Sequence, residues 1–194
     1  MLFLIVICGL PGTGKTTLAG TLKQGLRKYV VIYQNDIRRS FGMQRMPKTQ
    51  EKVLRTADRL IAKHLRAGRG VIFESGNRFS FRRQQLYGIA SSSGCKVATV
   101  EVVCSEKTSK ARMRVRRASK SRDALIGDPA DPAVYDRIKK LWESVTVDYK
   151  YPGVDHVSYL VFNTDTNTVA QIFVSRGMGG FVKKLKTIMQ GGAH

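Results

Sequence analysis

The chain has 194 residues, and a hydrophobic content of 42% suits one packed globular domain. Its three cysteines, Cys8, Cys95 and Cys104, are scattered without a Cys-x-x-Cys pair, which argues against a zinc site and predicts reduced thiols in a cytoplasmic compartment. The 34 Lys and Arg residues against 14 Asp and Glu residues give a net charge of +20, which attracts polyanions such as nucleic acid unless it serves solubility alone.

The segment from Leu2 to Leu26 predicts a strand, a glycine-rich loop and a helix in that order. The apolar run from Leu2 to Cys8 is short and lacks the basic start of a signal peptide, so we interpret it as a buried strand. No later run is long enough to span a membrane. The sequence GLPGTGKT from Gly9 to Thr16 matches the phosphate-binding P-loop, G-x-x-x-x-G-K-[ST]. Helical spacing follows at Leu18, Leu22 and Leu26.

The P-loop predicts a site for ATP or another NTP with Mg²⁺. Glycines allow the tight turn that points backbone N–H groups inward, and the helix N-terminus behind them favours an anion. Lys15 is expected to reach the β- and γ-phosphates, and the Thr16 hydroxyl is expected to bind Mg²⁺. The predicted nucleotide contacts in this segment are Gly9, Pro11, Gly12, Thr13, Gly14, Lys15, Thr16 and Thr17.

Further strands and helices alternate along the chain. Strands are predicted at Tyr29–Tyr33, Gly70–Glu74, Lys96–Val103 and Val157–Phe162. The second strand is predicted to end at residues 34–39, and loop residues then lead through Gly42 to Pro47. The chain end after the last strand is predicted as helical. The other helices are predicted over Thr49–Ala67, from an N-cap at Ser80, from an N-cap at Ser105, and from Asp131-Pro132 with an inner face of Ile138, Leu141, Trp142 and Val145.

This alternation predicts an α/β P-loop NTPase fold, with a five-stranded parallel sheet and helices on both faces. No linker or repeat divides the sequence, so we expect a single domain over residues 1–194. Ligands of such sheets bind at the carboxyl ends of the strands. We therefore expect the polar residues that follow the strands to lie beside the P-loop.

Asp36 follows the second predicted strand and is our candidate for the general base. Phosphoryl transfer to a hydroxyl needs a carboxylate that accepts the proton and aligns the oxygen. Arg39 is three residues further on and is expected to hold an anionic group of the acceptor. The alternative is that Asp36 caps a helical turn while Arg39 is solvated.

Glu74 ends the third predicted strand, where an acid can orient Mg²⁺ through water. The alternative is that Glu74 pairs with one of the many arginines. Asn77 and Arg78 follow closely, and we expect them to line the acceptor side of the site.

The helix after the fourth strand is rich in cations. It is interpreted as a lid, over about residues 105–131, whose arginines stabilise the transferring phosphate. Arg112 and Arg116 are four residues apart and share a face of the helix. The alternatives are a nucleic-acid surface and a solvated helix. The cations are Lys107, Lys110, Arg112, Arg114, Arg116, Arg117, Lys120 and Arg122.

The chain resembles P-loop kinases of the 5′-hydroxyl polynucleotide kinase and zeta-toxin kind in four features. These are the P-loop, Asp36-x-x-Arg39, the strand that ends in ESGNR (Glu74 to Arg78), and the arginine-rich segment. The resemblance implies that Asp36 is the general base and that Arg39 holds a substrate phosphate. It implies a lid arginine among Arg112, Arg116 and Arg117, for which we select Arg116 as catalytic and Arg112 as a nucleotide contact. The NTDT turn implies that Asn163 and Thr164 border the adenine.

Related kinases phosphorylate very different acceptors, so three hypotheses follow. The first is a kinase acting on a polynucleotide 5′-OH, which the charge of +20 favours. The second is a small-molecule or nucleotide-sugar kinase with an incidental basic surface. The third is a nucleic-acid-stimulated NTPase or binding module with no dedicated acceptor.

Overall fold

The computed structural model describes residues 2–42, 47–118, 131–150 and 156–191, and six strands within them form one sheet. The strands are β1 (Phe3–Cys8), β2 (Tyr29–Tyr33), β3 (Gly70–Glu74), β4 (Lys96–Val103), β5 (Val157–Asn163) and β6 (Thr168–Phe173). The α-helices in the described residues are α1 (Lys15–Gly25), α2 (Gln34–Ser40), α3 (Pro47–Arg66), α4 (Ser80–Ser91), α5 (Glu106–Ala118), α6 (Pro132–Lys140) and α7 (Gly179–Met189). A 3₁₀-helix covers Val145–Lys150.

The sheet has the order β2-β3-β1-β4-β5-β6, and β1 to β5 are parallel to one another. The predicted number of five strands is wrong, because β6 adds an antiparallel edge strand where the chain was expected to be helical. Asn163 pairs with Thr168 across a tight turn in which Asn167 has a left-handed φ of 54°. Five of the six β6 residues are exposed, so no apolar alternation marks this strand in the sequence.

Two apolar layers enclose the central strand β1, which is buried along its whole length. Alternate residues such as Ile5 and Ile7 pack with α1 and α7, whereas Leu4 and Val6 pack with α3 and α4. A parallel strand covered by helices on both faces is expected to be apolar throughout. The predicted helices on both faces of the sheet are thus confirmed.

The sequence placed most elements correctly and some local details wrongly. Residues 34–40 form helix α2, which the sequence did not predict, and its Ile37 packs against the core. Ser80 does not cap α4; it is the first residue of the helix, and its hydroxyl donates to Asp148. Leu141 is not on an inner face, since α6 ends at Lys140 and Leu141 is 47% exposed.

Two predicted caps are present. Ser105 Oγ accepts from the Thr108 backbone N–H at 3.2 Å, and Asp131 Oδ1 accepts from that of Ala133 at 2.9 Å. Residues 119–130 of the proposed lid, which include Lys120 and Arg122, lie outside the described residues.

The three cysteines form no disulfide in the described part of the chain. Among the described helices, none is both long and apolar enough to cross a bilayer.

Candidate active site

A cleft of about 490 Å³ lies where the P-loop meets the segments that follow β2 and β3. Helices α3, α5 and α6 complete its lining, so six separate parts of the chain converge on it. This is the strand-end location at which open α/β sheets bind ligands. The lining residues are Gly9, Pro11, Gly12, Gly14, Lys15, Thr16, Thr17, Gln34, Asn35, Arg38, Gln50, Leu54, Glu74, Ser75, Gly76, Asn77, Arg78, Phe79, Phe81, Arg82, Arg116 and Ile138.

The P-loop glycines are required by close backbone contacts as well as by their dihedral angles. Gly12 has a φ of 79°, and a Cβ there would lie 2.6 Å from the Ser109 carbonyl oxygen. At Gly9, with a φ of 144°, a Cβ would lie 2.4 Å from the Val102 carbonyl oxygen. Each contact places the loop directly against a neighbouring segment, which a side chain would prevent.

Helix α1 begins at Lys15, directly after Gly14, and has no acidic residue in its first turn. Its N-terminal N–H groups therefore form a positive site that suits a phosphate. The Lys15 ammonium donates to the Leu10 carbonyl at 2.8 Å, and the Thr13 hydroxyl donates to the same oxygen at 2.9 Å. Thr16 and Thr17 are exposed and line the cleft.

Thr13 is 2% exposed and does not line this cleft; its backbone carbonyl joins the P-loop to two more distant segments. The Thr164 hydroxyl donates to the Thr13 carbonyl at 3.1 Å, and Arg112 Nη1 donates to Thr164 Oγ1 at 2.9 Å. The structure thus brings Arg112 and Thr164 to the P-loop. Asn163 instead shapes its own turn, where its side-chain oxygen accepts from the Asp165 backbone N–H at 2.9 Å.

Asp165 links this turn to the start of α5. Its carboxylate accepts from the Ser105 backbone N–H at 2.7 Å, and this hydrogen bond lowers the pKa of Asp165. The helix that carries Arg112 and Arg116 is therefore held at its first turn by the β5–β6 turn.

The arginines of α5 divide according to their helical positions. Arg116 lines the cleft, and Arg112, one turn earlier, contacts Thr164. Arg117 is largely exposed and lies 3.8 Å from Asp131. Of the three predicted candidates for a lid arginine, Arg116 is thus the one that lines the cleft.

Asp36 and Arg39 form an ion pair of 2.6 Å, with side chains that are 56% and 39% exposed, and neither lines the cleft. Their neighbours Asn35 and Arg38 do. The helical conformation of α2 explains this, because residues 34, 35 and 38 share one face while residues 36 and 39 share another. Sequence reasoning missed Arg38 because no helix was predicted here, and without the helix the sequence does not show which of these residues share a face.

Arg38 is 8% exposed and is held within the cleft by two side-chain amides. It donates to Asn35 Oδ1 at 3.1 Å and to Gln50 Oε1 at 2.6 Å. In this arrangement the amide oxygens face the guanidinium group, and the cluster offers hydrogen-bond donors to a ligand. Such a cluster suits a phosphate or carboxylate group.

The segment after β3 is tied to the P-loop strand through Asn77, which has a left-handed φ of 44°. Asn77 Nδ2 donates to the Ile7 carbonyl at 2.9 Å, and the Gly9 N–H donates to the Gly76 carbonyl at 3.3 Å. Glu74 is 6% exposed, lines the cleft and lies near Tyr33. Burial and then the charges of Glu74 and Asp36 raise the pKa of Tyr33, so both carboxylates lie within electrostatic range of this phenol.

A buried ion pair that the sequence did not reveal supports the same segment. Arg83 Nε donates to Asp148 Oδ2 at 2.7 Å, and Arg83 Nη1 donates to the Asn77 carbonyl at 2.9 Å. The two charged side chains are 0% and 2% exposed. Asp148 is far away in the sequence, and no local pattern connects it to Arg83.

The side-chain oxygens in the cleft are ligands that fit Mg²⁺. The Thr16 hydroxyl and the Glu74 carboxylate both line it, and Mg²⁺ in phosphate sites takes one or two protein oxygens together with phosphate oxygens and water. Glu74 is the only carboxylate among the described lining residues.

Comparison with known proteins supports the fold. The family model AAA_33, described as an AAA domain, matches residues 4–141. No curated protein matches the chain. The chain is similar to Chaetomium thermophilum Kti12 in complex with ADP-AlF3, at a TM-score of 0.64 and 16% identity, over 96% of this chain and 95% of that one.

Two further solved structures share the architecture. Mycobacterium tuberculosis APS kinase CysC, in complex with AMPPNP and APS, has a TM-score of 0.58 and 13% identity over 98% of both chains. A chain of the Pnkp1/Rnl/Hen1 RNA repair complex has a TM-score of 0.63 and 14% identity over 77% of this chain and 45% of that one. At these identities the likeness establishes an α/β P-loop fold with a six-stranded, mostly parallel sheet.

Proposed function

Since the chain belongs to the AAA_33 family of AAA domains, we propose that it is an ATP- and Mg²⁺-dependent P-loop kinase whose acceptor is a polynucleotide 5′-OH. One observation carries the proposal. The cleft that contains the P-loop is lined by five cationic side chains, Lys15, Arg38, Arg78, Arg82 and Arg116, against the single carboxylate of Glu74 among the described residues. Lys15 and Arg116 suffice for a triphosphate, and Arg82 is ion-paired with Asp58 at 2.7 Å. Arg38 and Arg78 therefore remain to suit further phosphates on the acceptor.

In the proposed reaction the acceptor oxygen attacks the γ-phosphorus, the bond to the β,γ-bridging oxygen breaks, and ADP leaves. Lys15 and the N-terminus of α1 bind the phosphates, and Arg116 stabilises the transferring group. Thr16 and Glu74 would hold Mg²⁺, which would supply charge neutralisation at the phosphates. The acceptor proton is assigned to Asp36. Because Asp36 is paired with Arg39 and does not line the cleft, this step requires its carboxylate to leave Arg39 and turn toward the cleft.

Label transfer tests the acceptor. With γ-labelled ATP, we expect the protein to label 5′-OH DNA or RNA oligonucleotides and to leave the same oligonucleotides with a 5′-phosphate unlabelled. Lys15→Ala should remove most of the transfer, because it deletes a charge-assisted phosphate contact. If the wild-type protein binds ATP but transfers no label to any oligonucleotide, the proposal is contradicted.

Two carboxylate variants separate the base from the metal ligand. Asp36→Asn should lower turnover by about 10²–10⁴-fold at an unchanged Mg²⁺ requirement, as for a lost general base. Glu74→Gln should instead raise the Mg²⁺ concentration needed for half-maximal turnover. Near-normal turnover of Asp36→Asn would remove Asp36 from the base role, and a turnover loss in Glu74→Gln that excess Mg²⁺ does not restore would transfer that role to Glu74.

A small-molecule acceptor is the second candidate. The cleft volume of about 490 Å³ lies within the range of ordinary small-ligand sites, and the similar APS kinase structure is a complex with AMPPNP and APS. Labelling of a metabolite pool without labelling of oligonucleotides would select it. ATP hydrolysis stimulated by nucleic acid, with no phosphorylated product, would instead indicate an NTPase without an acceptor.

A further inference from the structure

Two phenylalanines on the acceptor side of the cleft have no place in the phosphoryl-transfer scheme. Phe79 and Phe81, here called the aromatic pair, both line the cleft and stack with ring centroids 5.6 Å apart and an interplanar angle of 21°. Phe81 is 57% exposed. The Arg78 guanidinium carbon lies 4.5 Å from the centre of the Phe79 ring. The cleft thus presents an aromatic surface next to a cation.

The aromatic pair is held in a fixed position by its backbone. Ser80 lies between Phe79 and Phe81 in the sequence. It donates its backbone N–H to Glu143 Oε2 at 2.6 Å and its hydroxyl to Asp148 Oδ1 at 2.7 Å. The Glu143 backbone N–H donates in turn to the Arg78 carbonyl at 3.1 Å. The backbone that carries both rings is thus anchored, which lowers the ordering cost for a ligand that stacks on them.

The charge around the aromatic pair limits what can occupy it. The cationic lining of the cleft favours a polyanion, and an exposed ring favours a flat aromatic partner. A nucleic-acid strand has both groups, since its phosphates follow a cationic groove while its bases stack on aromatic side chains. The base must be unpaired to reach the ring, which selects a single-stranded end.

We propose that the aromatic pair is the platform on which a base of the acceptor strand stacks, with Phe81 offering the exposed ring, and that the acceptor is a single-stranded end of a nucleic acid. This inference rests on the proposed polynucleotide acceptor and adds how that acceptor is recognised. Stacking on one aromatic side chain is sequence-tolerant, because every base has a π-face. The platform therefore selects a strand end without selecting a sequence.

The test is equilibrium binding, independent of catalysis. Fluorescence anisotropy would compare a 3′-labelled 5′-OH oligonucleotide with the same oligonucleotide lacking its first two bases. We expect the wild type and Phe81→Tyr to bind the abasic form about 5-fold or more weakly, the lower end of measured base–aromatic stacking. In Phe81→Leu, which keeps an apolar side chain but no ring, this difference should disappear.

A matched control is Phe173→Leu, which changes a phenylalanine that is 43% exposed on β6 and does not line the cleft. It should discriminate between the two oligonucleotides as the wild type does. Thermal unfolding of each variant identifies any loss of fold. Equal binding of both oligonucleotides to the wild type would overturn the platform without any variant.

The outcomes separate this inference from the proposed function. Equal binding of both oligonucleotides to the wild type, or unchanged discrimination in Phe81→Leu, would overturn the platform even if 5′-OH transfer occurs. Discrimination that depends on the Phe81 ring, without label transfer, would support the platform and contradict the kinase acceptor. Binding of a phosphorylated sugar in place of both oligonucleotides would overturn the platform as well.

Discussion

At the scale of single residues, the buried ion pair of Arg83 and Asp148 supports the segment after β3 that lines the cleft. Asp148 also accepts from the Tyr87 hydroxyl at 2.8 Å and from the Ser80 hydroxyl at 2.7 Å. Burial, and then the charge of Asp148, raises the pKa of Tyr87 well above its ordinary value, so Tyr87 stays protonated and donates. The carboxylate is thus satisfied on both oxygens, as a buried charge requires.

We expect Asp148→Asn to lower the free energy of unfolding by about 3–5 kcal/mol, because it leaves the Arg83 charge buried without its counter-ion. Urea unfolding followed by circular dichroism measures this change. The control is Glu51→Gln, which breaks the exposed ion pair with Arg55 (60% and 79% exposed) and should cost below about 1 kcal/mol. Equal changes in the free energy of unfolding of the two variants would show that the buried Arg83–Asp148 pair contributes no more to stability than an exposed pair.

At the scale of secondary-structure elements, Glu106 links α5 to α6. Its carboxylate accepts from Lys110 at 2.6 Å and from Lys139 at 2.9 Å, and Lys110 also contacts Asp136 of α6 at 2.8 Å. These bonds, first that of Lys110 and then that of Lys139, lower the pKa of Glu106 from 4.5 to about 2. The helix that carries Arg116 is therefore connected to α6 by ion pairs on its exposed side.

This carboxyl should titrate abnormally. Because its folded pKa lies below the unfolded value, the stabilisation by Glu106 is complete above about pH 4.5 and is lost as the pH falls through about 2. A ¹³C NMR titration of the Glu106 carboxyl measures the pKa directly, and Lys110→Met should return it toward 4.5. A value near 4.5 in the wild type would contradict the bridge between the helices.

At the scale of the whole molecule, the charge of +20 is spread well beyond the cleft. Helix α7 packs Val182, Leu185 and Ile188 against the core and carries Lys183 and Lys184 on its exposed side. No residue of α7 is among the described residues that line the cleft. The acceptor nucleic acid is therefore expected to contact the cations of the cleft and not those of α7.

The salt dependence of oligonucleotide binding distinguishes the two surfaces. Arg78→Gln should reduce the slope of log K against log salt by about 0.7, the value for one phosphate contact on a single strand. Simultaneous replacement of the α7 lysines Lys183, Lys184 and Lys186 by Gln should leave the slope unchanged. A lower slope in that triple variant would extend the nucleic-acid footprint to α7.

Most of the fold could be predicted from local patterns. The strands β2, β3 and β4 were predicted with the observed bounds, because buried parallel strands are short apolar runs set between turn residues. Strand β6 was missed because its side chains are mostly exposed. The P-loop residues were found because one contiguous motif defines them, whereas Arg38, Phe79 and Phe81 belong to the cleft only through packing between distant segments.

The sequence by itself determined the P-loop, the alternation of strands and helices, and the excess of positive charge, because each is a local or summed property of the chain. Only the tertiary structure decided which residues face the cleft. The helical turn of α2 directs Asn35 and Arg38 into it and pairs Asp36 with Arg39 outside. Likewise, Arg83 meets Asp148 across 65 residues. The physical reason is that facing and burial depend on the rotation and packing of whole elements, which residue order alone does not specify.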